Sequence, residues 1–239
     1  LMKPNPFQKT PKRYQIEKMF DSISKEYDLL NRLITFGFDS KWKKKIVSIA
    51  KKHNPNIILD LATGTADIAI ELYKINYAKI VGVDISKKML DIGRSKIKSN
   101  KLSKRIVLES GDAQNLNYKD ENFDLITIGF GLRNFENLEK GLIEMHRVLK
   151  KKGVLIILET SVPQNYIIRY FYLIFIRSFI PFIGSIFSKN KNAYNYLQRS
   201  AEKFPSGKKL ISILNKCGYS NIEVRPQMFG STSIYLANK

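Results

Sequence analysis

A doubly wound α/β sheet is the fold class this chain predicts, and three observations predict it. Ile57-Ile58-Leu59-Asp60-Leu61-Ala62-Thr63-Gly64-Thr65-Ala66-Asp67 runs from an apolar strand through an acid into a tight turn of small residues, then into a helical pattern. Val81-Gly82-Val83-Asp84 repeats the apolar run and again closes on an acid. Strand-like and helix-like segments then alternate, the rhythm of a parallel sheet with helices on both faces. At 239 residues the chain can hold one such domain with a sizeable core and an added lid.

The elements follow in order. Residues 1–12 are polar and basic with no apolar centre, so no signal peptide is expected. Residues 13–52 predict two amphipathic helices around Thr35-Phe36-Gly37, so that residues 1–52 form a tail and helices ahead of a domain at 53–239. Within that domain, Ser86 is placed to cap a helix running to Lys98. Ile106-Val107-Leu108 is a third strand, Phe123 to Ile128 a fourth, Glu136 to Lys150 a helix and Val154 to Leu158 a fifth strand. The region at about 163–204 reads as an apolar lid insertion, in which Arg169, Arg177 and Pro181 interrupt the aromatic run. No uncharged stretch there reaches the ~18–20 residues that span a bilayer. Lys208 to Cys217 predicts a helix ended by Gly218, and Ile222-Glu223-Val224 and Ser233 to Leu236 supply the sixth and seventh strands.

The first loop restricts the ligand. A dinucleotide fingerprint places glycines at three positions that here hold Ala62, Gly64 and Asp67, and a carboxylate at the third would repel a pyrophosphate. The Lys-Ser or Lys-Thr pair of a P-loop is missing. Asp84, at the end of the second strand, is placed to take two ribose hydroxyls. The loop resembles motif I of the class I S-adenosylmethionine methyltransferases, whose Rossmann-like fold and phosphate-free cofactor tolerate acids here. That resemblance implies a cofactor site of Asp60, Gly64, Thr65, Asp84, Asp112 and Ala113, with Asp112 near the adenine amino group and the next backbone N–H on the ring. It also implies an antiparallel final hairpin. Two of the usual loop glycines are Ala62 and Ala66. Alanine is strained at positive φ, so Gly64 is expected to carry the left-handed backbone. The alanines leave open a scaffold that has lost its cofactor.

Two longer segments narrow the resemblance. Tyr27 to Gly37 with Lys41-Trp42, and Arg147 to Ser161, are similar to the two signatures of the ubiquinone/menaquinone biosynthesis C-methyltransferases, although the usual Pro-Gly-Gly turn is Lys151-Lys152-Gly153. Phe130-Gly131-Leu132-Arg133-Asn134 also looks like that family. The loop at Ala62 to Asp67 and the residues after Asn134 look most like its demethylmenaquinone branch. The resemblance implies S-adenosylmethionine-dependent C-methylation of demethylmenaquinol to menaquinol, with a ubiquinol precursor as the other acceptor of the family. Ionising a ring hydroxyl of pKa about 10 at neutral pH costs roughly 4 kcal/mol. Arg133 would stabilise the phenolate, Asn134 would orient the ring oxygen or a water, and the water or Asp28 would accept the ring proton. Another small molecule, or RNA, is the alternative acceptor.

Charge and cysteine set further bounds. The formal charge of +20 arises from 41 Lys and Arg against 21 Asp and Glu. AT-rich coding produces such a lysine-rich composition, and a surface attracted to anionic lipid headgroups, with Lys41 to Lys45 and Lys51-Lys52 as candidates, is the functional reading. Nucleic acid is not expected as a partner: the place after the fourth strand holds Gly129-Phe130-Gly131-Leu132, not the Asn/Asp-Pro-Pro-Tyr loop of base methylation, and the single Cys217 reads as packing. One cysteine allows no internal disulfide, consistent with a reducing cytoplasm. His53 and His146 have no partner at metal-ligand spacing, so no metal is expected. The expected setting is cytoplasmic, in peripheral contact with the inner face of the membrane, where a polyprenyl quinol presents its headgroup.

Overall fold

The computed structural model describes residues 2–75, 77–187 and 190–239. Among the described residues seven strands form one sheet: β1 (Ile57–Leu61), β2 (Lys79–Asp84), β3 (Ile106–Ser110), β4 (Phe123–Gly129), β5 (Leu149–Thr160), β6 (Ser220–Gln227) and β7 (Thr232–Asn238). Their order is β3-β2-β1-β4-β5-β7-β6. The first five run parallel, and β7 inserts antiparallel between β5 and β6, as the doubly wound expectation requires. The strand order reverses between β1 and β4, which opens a crevice at their carboxyl ends, where open α/β sheets bind ligands.

The N-terminal region departs from expectation. It holds three helices rather than two: α1 (Lys12–Ile23), α2 (Tyr27–Ile34) and α3 (Phe38–Lys51). The break at Thr35-Phe36-Gly37 is where the sequence predicts it, with Phe36 and Gly37 both at positive φ (50° and 74°). The additional break follows Ile23. Asp21, near the end of α1, accepts bonds from the Ser86 hydroxyl (2.6 Å) and the Lys88 N–H (3.2 Å), and this ties α1 to the chain just after β2.

The remaining helices are α4 (Asp67–Leu72), α5 (Lys87–Ser99), α6 (Leu138–Val148), α7 (Tyr166–Phe187), α8 (Lys191–Lys203) and α9 (Lys208–Lys216). Ser86 does cap α5, its hydroxyl accepting from the Met89 N–H at 3.3 Å. The sixth helix stops short of Lys150 because Leu149 already pairs with Phe123 and opens β5. A second departure is α7, a continuous helix of 22 residues with Pro181 inside it. Arg177 does not break it, because its guanidinium turns outward to Glu202 on α8. By length and composition its segment Tyr166–Ile183, of mean hydropathy 1.5, is long and apolar enough to cross a membrane. The expected lid at 163–204 holds α7 and α8, and its residues 188 and 189 lie outside the described residues.

Two apolar cores cover the two faces of the sheet. A third joins Ile16, Met19 and Ile23 of α1 and Leu30 of α2 to Ile176 and Ile180 of α7 and to Tyr194 and Tyr196 of α8. Burial of each such side chain contributes about 1.5–3 kcal/mol, so the N-terminal helices and the lid hold together as one cap over the crevice.

Candidate active site

The loop after β1 is more strained than its glycine content suggests. Gly64 is left-handed as expected (φ 55°), but Ala62 (φ 50°) and Ala66 (φ 66°) are left-handed too, which corrects the expectation that the alanines would sit at negative φ. The reason lies in what the loop must do. It has to turn from β1 into α4 within a few residues while directing the Gly64 N–H at the Asp84 carboxylate (2.8 Å) and the Thr63 hydroxyl at Asp60 (2.6 Å). Nothing lies within 4 Å of where a Cβ on Gly64 would project, so its backbone is bare toward the crevice. The alanine methyls leave the crevice open.

Two chambers meet there. The first is lined by Gly64, Asp84, Asp112, Ala113, Gln114 and Asn134 among others. The second, a cavity of about 420 Å3, is lined by Asp28, Asn31, Thr35 and Lys43 of the N-terminal helices and by side chains of α7 including Phe171, Tyr172 and Phe175. Tyr27, Ala62, Gly64, Gly129 and Phe130 border both chambers. The residues that face both spaces are three small ones and two rings.

The first chamber brings together Asp84 and Asp112, two of the acids the sequence places at a cofactor. Asp84 holds the Gly64 and Ser86 N–H groups (both 2.8 Å), and burial pushes its pKa upward against those bonds. Asp112 accepts from the Gln114 N–H at 2.9 Å, and its other oxygen lies 3.4 Å from Arg13 of α1. Two of the six expected cofactor residues sit elsewhere. Asp60 is fully buried beneath the loop, where the Thr63 and Thr127 hydroxyls donate to it (both 2.6 Å) and burial raises its pKa to about 6. It shapes the loop without facing the crevice. Thr65 faces the second chamber and donates to Asp28 at 2.6 Å.

The three expected catalytic residues are also divided. Arg133 lines the second chamber and is paired with Glu159 at the end of β5, Nη1 to Oε1 at 2.5 Å. Burial alone would lower its pKa, but Glu159 outweighs it and the guanidinium stays charged. Its Nε–H is buried with no partner among the described residues. Asn134 instead lines the first chamber, where its Oδ1 accepts from the Tyr196 hydroxyl (3.2 Å) and its Nδ2 donates to the Phe130 carbonyl (3.3 Å). Asp28 lies in the second chamber within a network of charges: Lys96 Nζ contacts Asp28 (2.5 Å) and Asp67 (2.7 Å), and Lys43 Nζ contacts Asp67 (2.5 Å) and Asp39 (2.8 Å). Tyr194 and Tyr196 are core residues, 1% and 0% exposed.

Sequence reasoning missed three participants. Glu159 carries a signal, a lone acid closing the apolar run Val154 to Leu158, which should be read like Asp60 and Asp84. Lys12 carries none. It is buried in α1, and its ammonium donates to the carbonyls of Arg133 (3.2 Å) and Phe135 (2.6 Å), which fixes the turn that bears Arg133 and Asn134. Burial lowers its pKa to about 8, against the attraction of Glu136. Tyr172, on the lid helix, lines the second chamber, and burial raises its pKa to about 12 despite the nearby Arg133.

The description of the family that matches residues 8–239 is "ubiE/COQ5 methyltransferase family". A demethylmenaquinone methyltransferase from Bacteroides fragilis is 38% identical over 229 residues, covering 95% of this chain and 94% of that protein. The ubiquinone/menaquinone biosynthesis C-methyltransferase UbiE of Geotalea uraniireducens is 37% identical over 235 residues, covering 98% and 100%. Among solved structures, a SAM-dependent methyltransferase from Thermotoga maritima is 19% identical with a TM-score of 0.62, covering 93% of this chain and 99% of that one, which is a likeness of fold.

Proposed function

The chain belongs to the ubiE/COQ5 methyltransferase family, and from that premise we propose that it is an S-adenosylmethionine-dependent C-methyltransferase converting demethylmenaquinol to menaquinol in menaquinone biosynthesis. The observation that carries this reading is the shared border of the two chambers at Tyr27, Ala62, Gly64, Gly129 and Phe130. A donor in the first chamber faces an acceptor in the second with no bulky aliphatic side chain between them. Alignment of that kind removes several kcal/mol from a bimolecular barrier.

The residues of the first chamber fit the donor. The Asp84 carboxylate suits two ribose hydroxyls, and Asp112 with the Ala113 N–H, which has no partner among the described residues, suits the acceptor–donor edge of adenine. When bound, S-adenosylmethionine supplies an activated methyl group on a sulfonium. Gly64 gives it bare backbone, and the Asp60–Thr63–Thr127 bonds hold the loop that presents Gly64.

The second chamber has both polar and aromatic walls, as a prenylated quinol has both polar and apolar parts. Arg133 stands beside the ring oxygen in this reading. Its charge is already countered by Glu159, so it acts through its unpartnered Nε–H, and a hydrogen bond from a charged donor contributes about 1.5–3 kcal/mol. That offsets part of the roughly 4 kcal/mol needed to ionise the hydroxyl. Asp28 faces the same chamber and accepts the proton lost from the ring carbon, directly or through water, and the Lys96–Asp67 pair behind it holds it in place. Asn134, on the donor side, fixes the Phe130 loop and Tyr196.

Arg133→Ala tests the assignment. Methyl transfer should fall by at least 100-fold while S-adenosylmethionine affinity, measured by titration calorimetry, changes by less than about threefold. Removing the arginine leaves Glu159 buried and unpaired, which costs about 3–5 kcal/mol of stability, so the same measurement is made with Arg133→Ala combined with Glu159→Gln. Equal losses of rate and affinity in both variants would remove Arg133 from the chemistry.

A further inference from the structure

The lid helix α7 has two apolar faces, and only one is used by the fold. Its inner face, with Tyr172, Phe175 and Ile176, borders the acceptor chamber and packs toward α2 and α8. Its outer face puts Tyr166 (78% exposed), Tyr170 (64%) and Ile174 (47%) into solvent. A helix that is apolar all round belongs in a core or a membrane, and an exposed patch of this kind marks a binding surface.

The surroundings identify what the outer face meets. Phe36, in the turn between α2 and α3, stacks against Phe175 and Phe179 of α7 with ring centroids 5.7 Å from each. Phe229, 82% exposed, lies in the turn between β6 and β7. Phe36, Phe171 and Phe229 come from three separate elements, all are exposed, and all border the chamber. They therefore ring its mouth on the side of α7. Phe36 and Phe229 are both left-handed (φ 50° and 57°), a costly backbone for an aromatic residue.

The rim of this face is basic. The first turns of α3 begin two residues after Phe36 and carry Lys41, Lys44 and Lys45, with the Lys45 ammonium donating to Gln227 at 3.1 Å, two residues before Phe229. Arg169 adds a further exposed cation on α7 itself. An aromatic face rimmed by cations is complementary to one surface in particular, an apolar layer beneath anionic headgroups. A soluble apolar partner would not need the cations, and nucleic acid would not need the aromatic side chains.

We propose that the outer face of α7, with the rim of Phe36, Phe171 and Phe229 and the lysines of α3, docks flat into the headgroup layer of an anionic bilayer, so that the chamber mouth opens directly onto the lipid. The inference rests on reading the second chamber as the site of a prenylated acceptor. The helix lies in the interface and does not span it, because its inner face is committed to the cap: Ile176, Ile180 and Ile183 are only 3%, 8% and 8% exposed. A prenyl tail then stays in the bilayer while the ring enters between α7 and the β6–β7 turn.

The test is co-sedimentation of the full chain with vesicles of two parts phosphatidylcholine to one part phosphatidylglycerol, and with vesicles of phosphatidylcholine alone. The protein is expected in the pellet with the anionic vesicles and largely in the supernatant with the neutral ones. Tyr170→Ser combined with Ile174→Ser should weaken the anionic partition at least tenfold, and Lys41→Glu combined with Lys44→Glu should do the same. Both double variants should methylate a short-chain, water-soluble quinol at the unmodified rate and lose turnover only of a long-chain quinol embedded in vesicles. Failure of the unmodified chain to pellet would overturn the proposal, as would undiminished binding by either variant. Concentration-dependent self-association lost in the Tyr170 and Ile174 variant would assign the face to a second copy and also overturn it. If the chain pellets but never methylates the soluble quinol, the docking surface stands and the reading of the chamber fails.

Discussion

Ala62 and Ala66 show how one backbone demand is met at different cost. A left-handed conformation costs an ordinary residue roughly 1–2 kcal/mol, and glycine gives back about 0.5–1 kcal/mol through its greater freedom when unfolded. Ala62 is partly exposed, so Ala62→Gly should raise stability by about 0.5–1 kcal/mol, read as a higher urea midpoint at unchanged slope; a lower midpoint would show that the methyl is needed. Ala66 is fully buried, and its methyl sits close to Gly93. Losing that contact costs about as much as the relief returns, so Ala66→Gly should be near neutral. Asp60 makes a different demand, since its pKa is raised to about 6 by burial and the hydroxyls of Thr63 and Thr127 only partly compensate. The folded chain therefore holds this proton more tightly than the unfolded chain, and stability contributed here falls as pH rises from about 4 to about 6. Asp60→Asn keeps the hydroxyl partners and should flatten that part of the melting temperature against pH. An unaltered slope would place the titration on another group.

At the scale of elements, the charges around Lys43 and Lys96 join four helices. Asp28 of α2 and Asp39 of α3 are bound through the two ammonium groups to Asp67, the first residue of α4, with Lys96 supplied by α5. Burial would raise the Asp67 pKa, but Lys43 and Lys96 outweigh it and the net shift is downward. A carboxyl with a depressed folded pKa contributes stability above its unfolded value, near 3.8, and loses it as pH falls through the folded one. Asp67 is about one-third exposed, so solvent screens it and the network as a whole is worth about 1–2 kcal/mol. Protection of the α2 and α3 amides against hydrogen exchange should consequently drop below about pH 4 before that of β1. Asp67→Asn should show the same loosening at pH 6, and equal protection in the variant would mean the apolar cap alone holds these helices. None of this linkage is visible in the sequence, because its members are scattered from Asp28 to Lys96 and each resembles an ordinary surface charge. The strands are legible because apolar runs closing on Asp60 and Asp84 are local patterns. The second break among the N-terminal helices is not, since it depends on Asp21 reaching Ser86, 65 residues away.

For the molecule as a whole, legibility divides along the same line between local and distant contacts. The sheet, the crevice at its carboxyl edge and the place of Asp84, Asp112 and Gly64 can be inferred because a parallel sheet reverses its strand order at one point and acids at strand ends collect there. The division of Arg133 and Asn134 between two chambers cannot, since adjacent residues in one short turn point to opposite sides and only the packing of α1 and α8 decides which. In the sequence Arg133 stands as a lone cation, whereas the structure pairs it with Glu159 and leaves its Nε–H without a partner among the described residues.

The ammonium of Lys12 on the carbonyls of Arg133 and Phe135 has a consequence for how the chain is made. The contact joins residues 121 and 123 positions apart, so α1 leaves the ribosome long before its docking surface exists. The partners of α1 in the third core, Ile176, Ile180 and Tyr196, emerge later still. Until then its apolar stripe has nothing to cover it. The first helices to be synthesised are thus among the last to settle, and the nascent chain carries an open, greasy amphipathic end for most of its translation, a natural client for a holding chaperone.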